Sequence, residues 1–264
     1  MKAQAAGLQA DDLRADNQTA GDRLARDLAA LGVRPGGVLL VHSALRALGR
    51  MHDAETVVKA LLAALGPRGT LLMPALSYAS VGAAQPVFDA LRTPSCVGGL
   101  TEYFRTRPGT LRSLHPTHSV CGFGPRAAAL LADHQRDATP CGPHSPFTRL
   151  PHEHGQILFL GCGLRPNTSM HAVEEQVEPP YLFGPPVDYQ MVRADGSVFA
   201  MRVRSHNFAG CQQRYDRLSG VMAGGMAHGQ VLEAGCFLLD AEAMWPAALA
   251  QLRRDPLFFV ECAA

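Results

Sequence analysis

The sequence predicts a layered α/β fold, and three observations support it. Residues 36 to 77 read strand, helix, strand, which implies a crossover unit within one sheet. A second short apolar run, "QILFLGCG" at 156 to 163, ends in a glycine pair and leads into another helix. Hydrophobic residues make up 47% of the 264 residues and charged residues 18%, a composition that can bury a substantial core.

The elements follow in order. "TAGDRLARDLAALGV" carries leucines at helical spacing, with Gly32 as its stop. Val38 to Val41 is a short apolar run that reads as a buried strand. "DAETVVKALLAALGPRG" is a helix capped by Asp53 and stopped at Gly66-Pro67. "TLLMPALSY" returns to strand, and the roughly 40 residues after it read as loop from their Pro, Gly and Ser content. "GPRAAALLADH" reads as a helix opened by Pro125. "VDYQMVRADGSVFAMRVRSH" reads as a hairpin about Asp195-Gly196. "DAEAMWPAALAQLRRD" is a last helix, and Pro246 inside it suggests a later start than the pattern indicates. With no internal repeat, low-complexity tract or linker, a single domain over residues 1–264 is expected.

Several functional classes are disfavoured. A net charge of +1 gives no reason to expect nucleic acid or a charged membrane. No apolar run approaches the ~20 residues of a membrane span, and the first 22 residues contain no secretory h-region. Seven cysteines with no C-x-x-C pair suit free thiols in a reducing cytoplasm better than a disulfide framework.

The chemistry-bearing stretch is "LFLGCGLRPNTSMHAVEEQVE". On a helix, His171, Glu174 and Glu175 share one face. A zinc helix needs a second histidine, and Gln176 stands in the relevant place. From spacing alone, a helix with acidic residues in its first turns is the larger alternative. A neutral imidazole held by a carboxylate, a general base near pH 7, is the other. Cys162, between two glycines, reads as a small buried residue in preference to a nucleophile. "VHSALRALG" places His42, Ser43, Arg46 and Gly49 after a strand, where phosphates bind helix starts, though it is no P-loop. "RSLHPTHSV" is either a site-lining loop or a surface loop rich in turn formers. His206 and Cys211, five apart, are too few for a zinc site, and His152 and His154 read as solvated.

Taken in order, "LLVHSALRALG", "ALGPRGTLLMPALS", "RSLHPTHSVCGFGPRA", "SPFTRL", "GQILFLGCGLRPNTSMHAVEE" and "RRDPLFFV" resemble the aminoglycoside 3-N-acetyltransferase family over residues 36 to 260. The N-T-x-x-H-x-x-E arrangement, here Asn167, Thr168, His171 and Glu174, is the most specific of these motifs. The resemblance implies a three-layer α/β/α fold with a central mixed β-sheet, of the antibiotic acetyltransferase type. It implies acetyl-CoA as co-substrate and direct transfer to the 3-amino group of an aminoglycoside, with His171 as catalytic base beside Glu174. It places coenzyme A against His42, Ser43, Arg46, Ser77, His115, His118 and Ser119, and substrate against Asn167, Thr168 and Glu175. No metal is expected. The expected partners are a small-molecule amine and coenzyme A, without nucleic acid or membrane, and a homodimer is the assembly to test. One departure stands out. Family members that act on aminoglycosides tend to carry acidic residues after the second hairpin strand, where this chain reads Arg204-Ser205-His206-Asn207. A different amine, one with an anionic group for Arg202 or Arg204, is therefore the alternative acceptor.

Overall fold

The structure, a computed structural model, describes residues 18–49 and 53–262. Most of the N-terminal stretch read for a secretory signal lies outside them. The chain is helical over 18–31 (α1) and stops at Gly32, whose φ of 105° favours glycine. Strand β1 (Val38–Ser43) leads through a 3-10 turn into α2 (Ala54–Leu65) and back to β2 (Thr70–Pro74). The Asp53 carboxylate accepts the amides of Glu55 and Thr56, and the Gly66 amide donates to the carbonyls of Leu62 and Ala63. Both predicted ends of that helix therefore hold. β1 and β2 pair in parallel, as the crossover requires.

The stretch read as loop contains short elements: β3 (Val87–Asp89), a two-turn helix α3 (Gly99–Thr106) and β4 (Leu111–Arg112). The rest of the stretch is loop, as its Pro, Gly and Ser content predicts. The helix opens on two glycines, so its start carries no cap signal, and only Leu100, Thr101 and Phe104 turn inward. β5 (Val120–Phe123), α4 (Ala127–Leu131), α5 (Pro146–Arg149) and β6 (Gln156–Leu160) follow, then α6 (Ser169–Glu174). The hairpin forms from β7 (Phe183–Val192) and β8 (Val198–His206), with Gly196 at φ 82° in its turn. β9 (Cys211–Gln213), β10 (Met226–Val231), β11 (Ala234–Asp240), α7 (Ala241–Arg254) and β12 (Val260–Cys262) complete the chain. The last helix does not start late. Asp240 caps it by accepting the amides of Glu242 and Ala243, and Pro246 is carried inside it. The cap and the packing of Met244, Ala248 and Leu252 outweigh the one backbone bond that proline removes.

Seven strands form the central sheet in the order β10-β11-β6-β1-β2-β5-β4. β6, β1 and β2 run parallel to one another, and the β10–β11, β11–β6, β2–β5 and β5–β4 pairs are antiparallel. Alternate residues of these strands face opposite layers. Leu39, Val41, Leu71, Met73, Leu158 and Leu160 pack with α1, α2 and α3. Val38, Leu40, Leu72, Ile157 and Phe159 pack with α4 to α7. This is the expected three-layer arrangement around a mixed sheet. β3, β7 and β8 make a separate small sheet with its own core around Phe88, Tyr189 and Met191.

Two cysteines overturn the expectation of seven free thiols. β9 and β12 pair with Cys211 opposite Cys262, Cα to Cα 4.0 Å, and their sulfurs are bonded. A separation of 51 residues gave no sequence signal for this pair. The other five cysteines are free. Among the described residues, no helix is long and apolar enough to cross a membrane.

Candidate active site

β6 ends at Leu160, and the turn that follows is shaped by Gly161 and Gly163, at φ 74° and 63°. A Cβ at Gly161 would come within 2.7 Å of Ala47, so β1's outgoing turn and β6's outgoing turn pack against each other there. α6 begins beyond this turn and carries His171 and Glu174 three residues apart on one face. Glu174 is fully buried. Its Oε1 accepts a hydrogen bond from Tyr181 at 2.8 Å, and its Oε2 accepts one from Tyr215 at 2.8 Å. His171 Nδ1 lies 3.2 Å from Glu174 Oε2 and 2.9 Å from the Tyr215 hydroxyl.

The arrangement suits an imidazole with a proton on Nδ1: a carboxylate at Glu174 can accept from that nitrogen and from Tyr215, which leaves Nε2 as the nitrogen without a partner in this cluster. Burial, and then the Glu174 charge, raise the ionisation of both tyrosines above the ordinary range, which keeps them as neutral donors.

His171 lines a cavity of about 490 Å³ with Tyr78, His118, Thr168, His206 and Phe208. A second hollow of about 240 Å³ shares Tyr78, His118, His206 and Asn207 with it, so two lobes meet at the histidines. Phe208 packs on His171 at 5.1 Å between ring centroids, and Phe208, Ala209 and Gly210 all have positive φ. Two non-glycine residues in that region store strain of roughly 1–3 kcal/mol each, and they do so at the cavity wall. Among the described residues, the cavity lining includes no carboxylate. Its one permanently charged side chain, Arg165, lies 3.3 Å from Asp216.

The predicted site residues divide. His171, Thr168 and His118 reach the cavity. Asn167 is fully buried instead: its amide donates to the Met244 sulfur and its carbonyl oxygen accepts the Ser169 amide, so it shapes the entry to α6. Glu175 does not line the cavity. Its carboxylate, 6% exposed, meets Thr139, the Cys141 amide and His206 at 2.6, 2.8 and 2.8 Å. Burial pushes that carboxyl up to about 8, against the hydrogen bonds from Thr139 and Cys141. Ser77 and Ser119 are fully buried and donate to the carbonyls of Pro116 and Ala75. His115 is buried too, with Nδ1 accepting the amides of Thr117 and His118. These three hold the 112–119 loop in shape.

On β1, His42 is 7% exposed, stacks on Phe159 at 5.1 Å, and has an Nε2 with no partner. Burial, and then the nearby His171, lower its pKa to about 3. Ser43 is half-buried, and Arg46 is exposed with no ion pair among the described residues. The buried His42 imidazole thus keeps one nitrogen without a partner near the end of a parallel strand. Burial pushes the Cys162 thiol up to about 12, so it supplies no thiolate near neutrality.

Sequence reasoning missed Tyr181, Tyr215 and Phe208, and it set aside His206. None has a local motif. The one signal for His206 was the polar break that follows an alternating strand. Arg202 and Arg204, considered as partners for an anionic acceptor, are paired with Asp188 and Glu178.

Comparison with known proteins identifies the family and the fold. The family described as aminoglycoside 3-N-acetyltransferase matches residues 40–253. Aminoglycoside N(3)-acetyltransferase IV of Salmonella sp is 34% identical over 242 residues, covering 88% of this chain and 87% of that protein. A mutant of the aminoglycoside acetyltransferase AAC(3)-IVa, solved with a gentamicin, superposes with a TM-score of 0.77 at 32% identity over 89% of each chain. AAC-IIIb, solved as a binary complex with CoASH, has a TM-score of 0.74 at 28% identity over 88% of this chain and 95% of that one. The chain belongs to the aminoglycoside 3-N-acetyltransferase family.

Proposed function

We propose that this chain acetylates the 3-amino group of an aminoglycoside by direct transfer from acetyl-CoA, with His171 as general base. The observation that carries this reading is an imidazole whose Nδ1 is held by Glu174 and Tyr215 while the ring lines the cavity. Acetyl-CoA supplies an activated thioester carbonyl. An amine attacks it only when neutral, and most amines are protonated at pH 7. His171 Nε2 takes the amine proton as the C–N bond forms; the tetrahedral intermediate then collapses, the C–S bond breaks, and the imidazolium returns the proton to the departing coenzyme A sulfur. Glu174 fixes the ring orientation and favours the imidazolium that results. Tyr181 and Tyr215 donate to both oxygens of the buried Glu174 and hold it in place beside the ring.

The two lobes meeting at His118 and His206 suit a donor on one side and an acceptor on the other. His42, Ser43 and Arg46 would hold coenzyme A, and Thr168 would face the acceptor. The raised Cys162 thiol argues for direct transfer over an acetyl-enzyme. A cytoplasmic location accords with five unpaired cysteines and an acetyl-CoA donor.

A second reading keeps the chemistry and changes the acceptor. Aminoglycosides are polycations, and no carboxylate lines the described cavity. A less cationic amine would meet less desolvation cost there. Free-thiol release from acetyl-CoA, with gentamicin, kanamycin, neomycin and apramycin offered in turn, separates the two. Release dependent on any of them establishes the first reading. Release only with other amines selects the second, and no release with any amine refutes both.

A further inference from the structure

The cavity wall holds three imidazoles, and each has one nitrogen already engaged. His171 Nδ1 is held by Glu174 and Tyr215. His118 Nδ1 lies 2.9 Å from the Thr117 hydroxyl. His206 Nε2 lies 2.8 Å from Glu175 Oε1. The nitrogens left over are Nε2 of His171, Nε2 of His118 and Nδ1 of His206. His206 Nδ1 is buried without any partner, on a side chain 2% exposed. An unsatisfied buried nitrogen of this kind calls for a ligand. One nitrogen from each ring lies within 4.8 Å of those from the other two.

We infer that His118, His171 and His206 form a three-nitrogen site for a zinc-class divalent cation, with its fourth position open to the cavity. Zinc with imidazole nitrogens at ~2.0–2.1 Å holds them about 3.3 Å apart, so closure asks each ring to move inward by about 0.8 Å. Each ligand has an oxygen partner on its far nitrogen, from Thr117, Glu174 and Glu175, and such partners fix the orientation of a ring toward a metal. The imidazoles must be neutral to bind.

The ion is not a resident cofactor, because the proposed acetyl transfer uses none. It occupies the same His171 Nε2 that would take the amine proton, so the bound ion and acetyl transfer exclude each other. That consequence rests on the proposed role of His171, whereas the site itself does not.

The test is cobalt and zinc titration of the purified, chelator-treated full chain. One equivalent of Co²⁺ should give the intense visible band of a four-coordinate ion, and zinc should displace it. His206→Gln should lower zinc affinity at least 10–100-fold, and Glu175→Gln, which leaves all three ligands in place, should lower it by about 10-fold or more. Thermal melts of both variants establish that they fold, and if His206→Gln does not, the Glu175→Gln result decides. Absence of the cobalt band, or stoichiometric zinc binding unchanged in folded variants, overturns the site. A band with no zinc inhibition of thiol release would leave the site standing and overturn the base assignment for His171.

Discussion

In the 112–119 loop, apart from His118 at the cavity, the polar side chains mainly hold the loop together. Ser113 bonds His134 and the Val120 amide, His115 takes two amides, and Ser119 links Arg112 to the Ala75 carbonyl. In the 167–175 stretch, Asn167 and Glu175 do similar work, but His171 has one nitrogen fixed and the other free beside a cavity. Both stretches carry histidine, serine and threonine, and both were candidates for lining a site. The difference is where hydrogen-bonding capacity remains free. A buried polar group with every partner supplied shapes the site, and one with a free lone pair at a cavity can act in it.

Substitution at the two regions should therefore have opposite signatures. The largest expected effect is His171→Ala, which should lower kcat/KM for acetyl transfer by about 10²–10⁴-fold while coenzyme A binding persists. A turnover loss confined to KM would break the comparison.

Acid should act on the whole histidine set. His42, His115, His118, His134 and His206 are all lowered by burial, to about 3 at His42 and about 4 at His134. An unfolded chain protonates each near pH 6.5, whereas the folded one leaves them neutral. Unfolding thus takes up protons below pH 6.5, and stability falls as pH drops. Glu175 acts the other way: its raised carboxyl holds a proton up to about pH 8 that the unfolded chain has lost. Stability should peak near neutrality. Near pH 5.5 unfolding should take up about three protons net, read from urea midpoints against pH. A flat profile between pH 5 and 6.5 would contradict the buried, neutral state of these rings.

Within the loop, His115→Ala should cost about 1–3 kcal/mol of stability, because the buried Thr117 and His118 amides lose their acceptor. Urea denaturation reads this directly, and an unchanged midpoint would mean the ring is not structural. The smallest effect is expected at Tyr181→Phe. It removes one of two tyrosine donors to Glu174, at about 1 kcal/mol in transition-state stabilisation, or roughly fivefold in kcat/KM.

Local signals carried much of this into view beforehand. Asp53 and Gly66 mark both ends of α2, alternation about Asp195-Gly196 marks the hairpin, and three-residue spacing pairs His171 with Glu174. What stayed hidden depends on distant contacts. Tyr215 reaches Glu174 from 41 residues away, and His206 reaches Glu175 from 31. Cys262 meets Cys211 only because β12 folds back on β9. Ser77, Ser119 and Asn167 have the right residue types for a site, and only the fold shows that their polar atoms are already engaged.

The most direct test of the central claim is chemical rescue of His171→Ala. Thiol release from acetyl-CoA would be followed with an accepted amine, with and without added imidazole. The account predicts a folded variant that binds coenzyme A, has lost turnover, and regains part of it as imidazole concentration rises. Turnover within a few-fold of the unsubstituted chain, with no imidazole dependence, would show that the free nitrogen of His171 is not the proton acceptor.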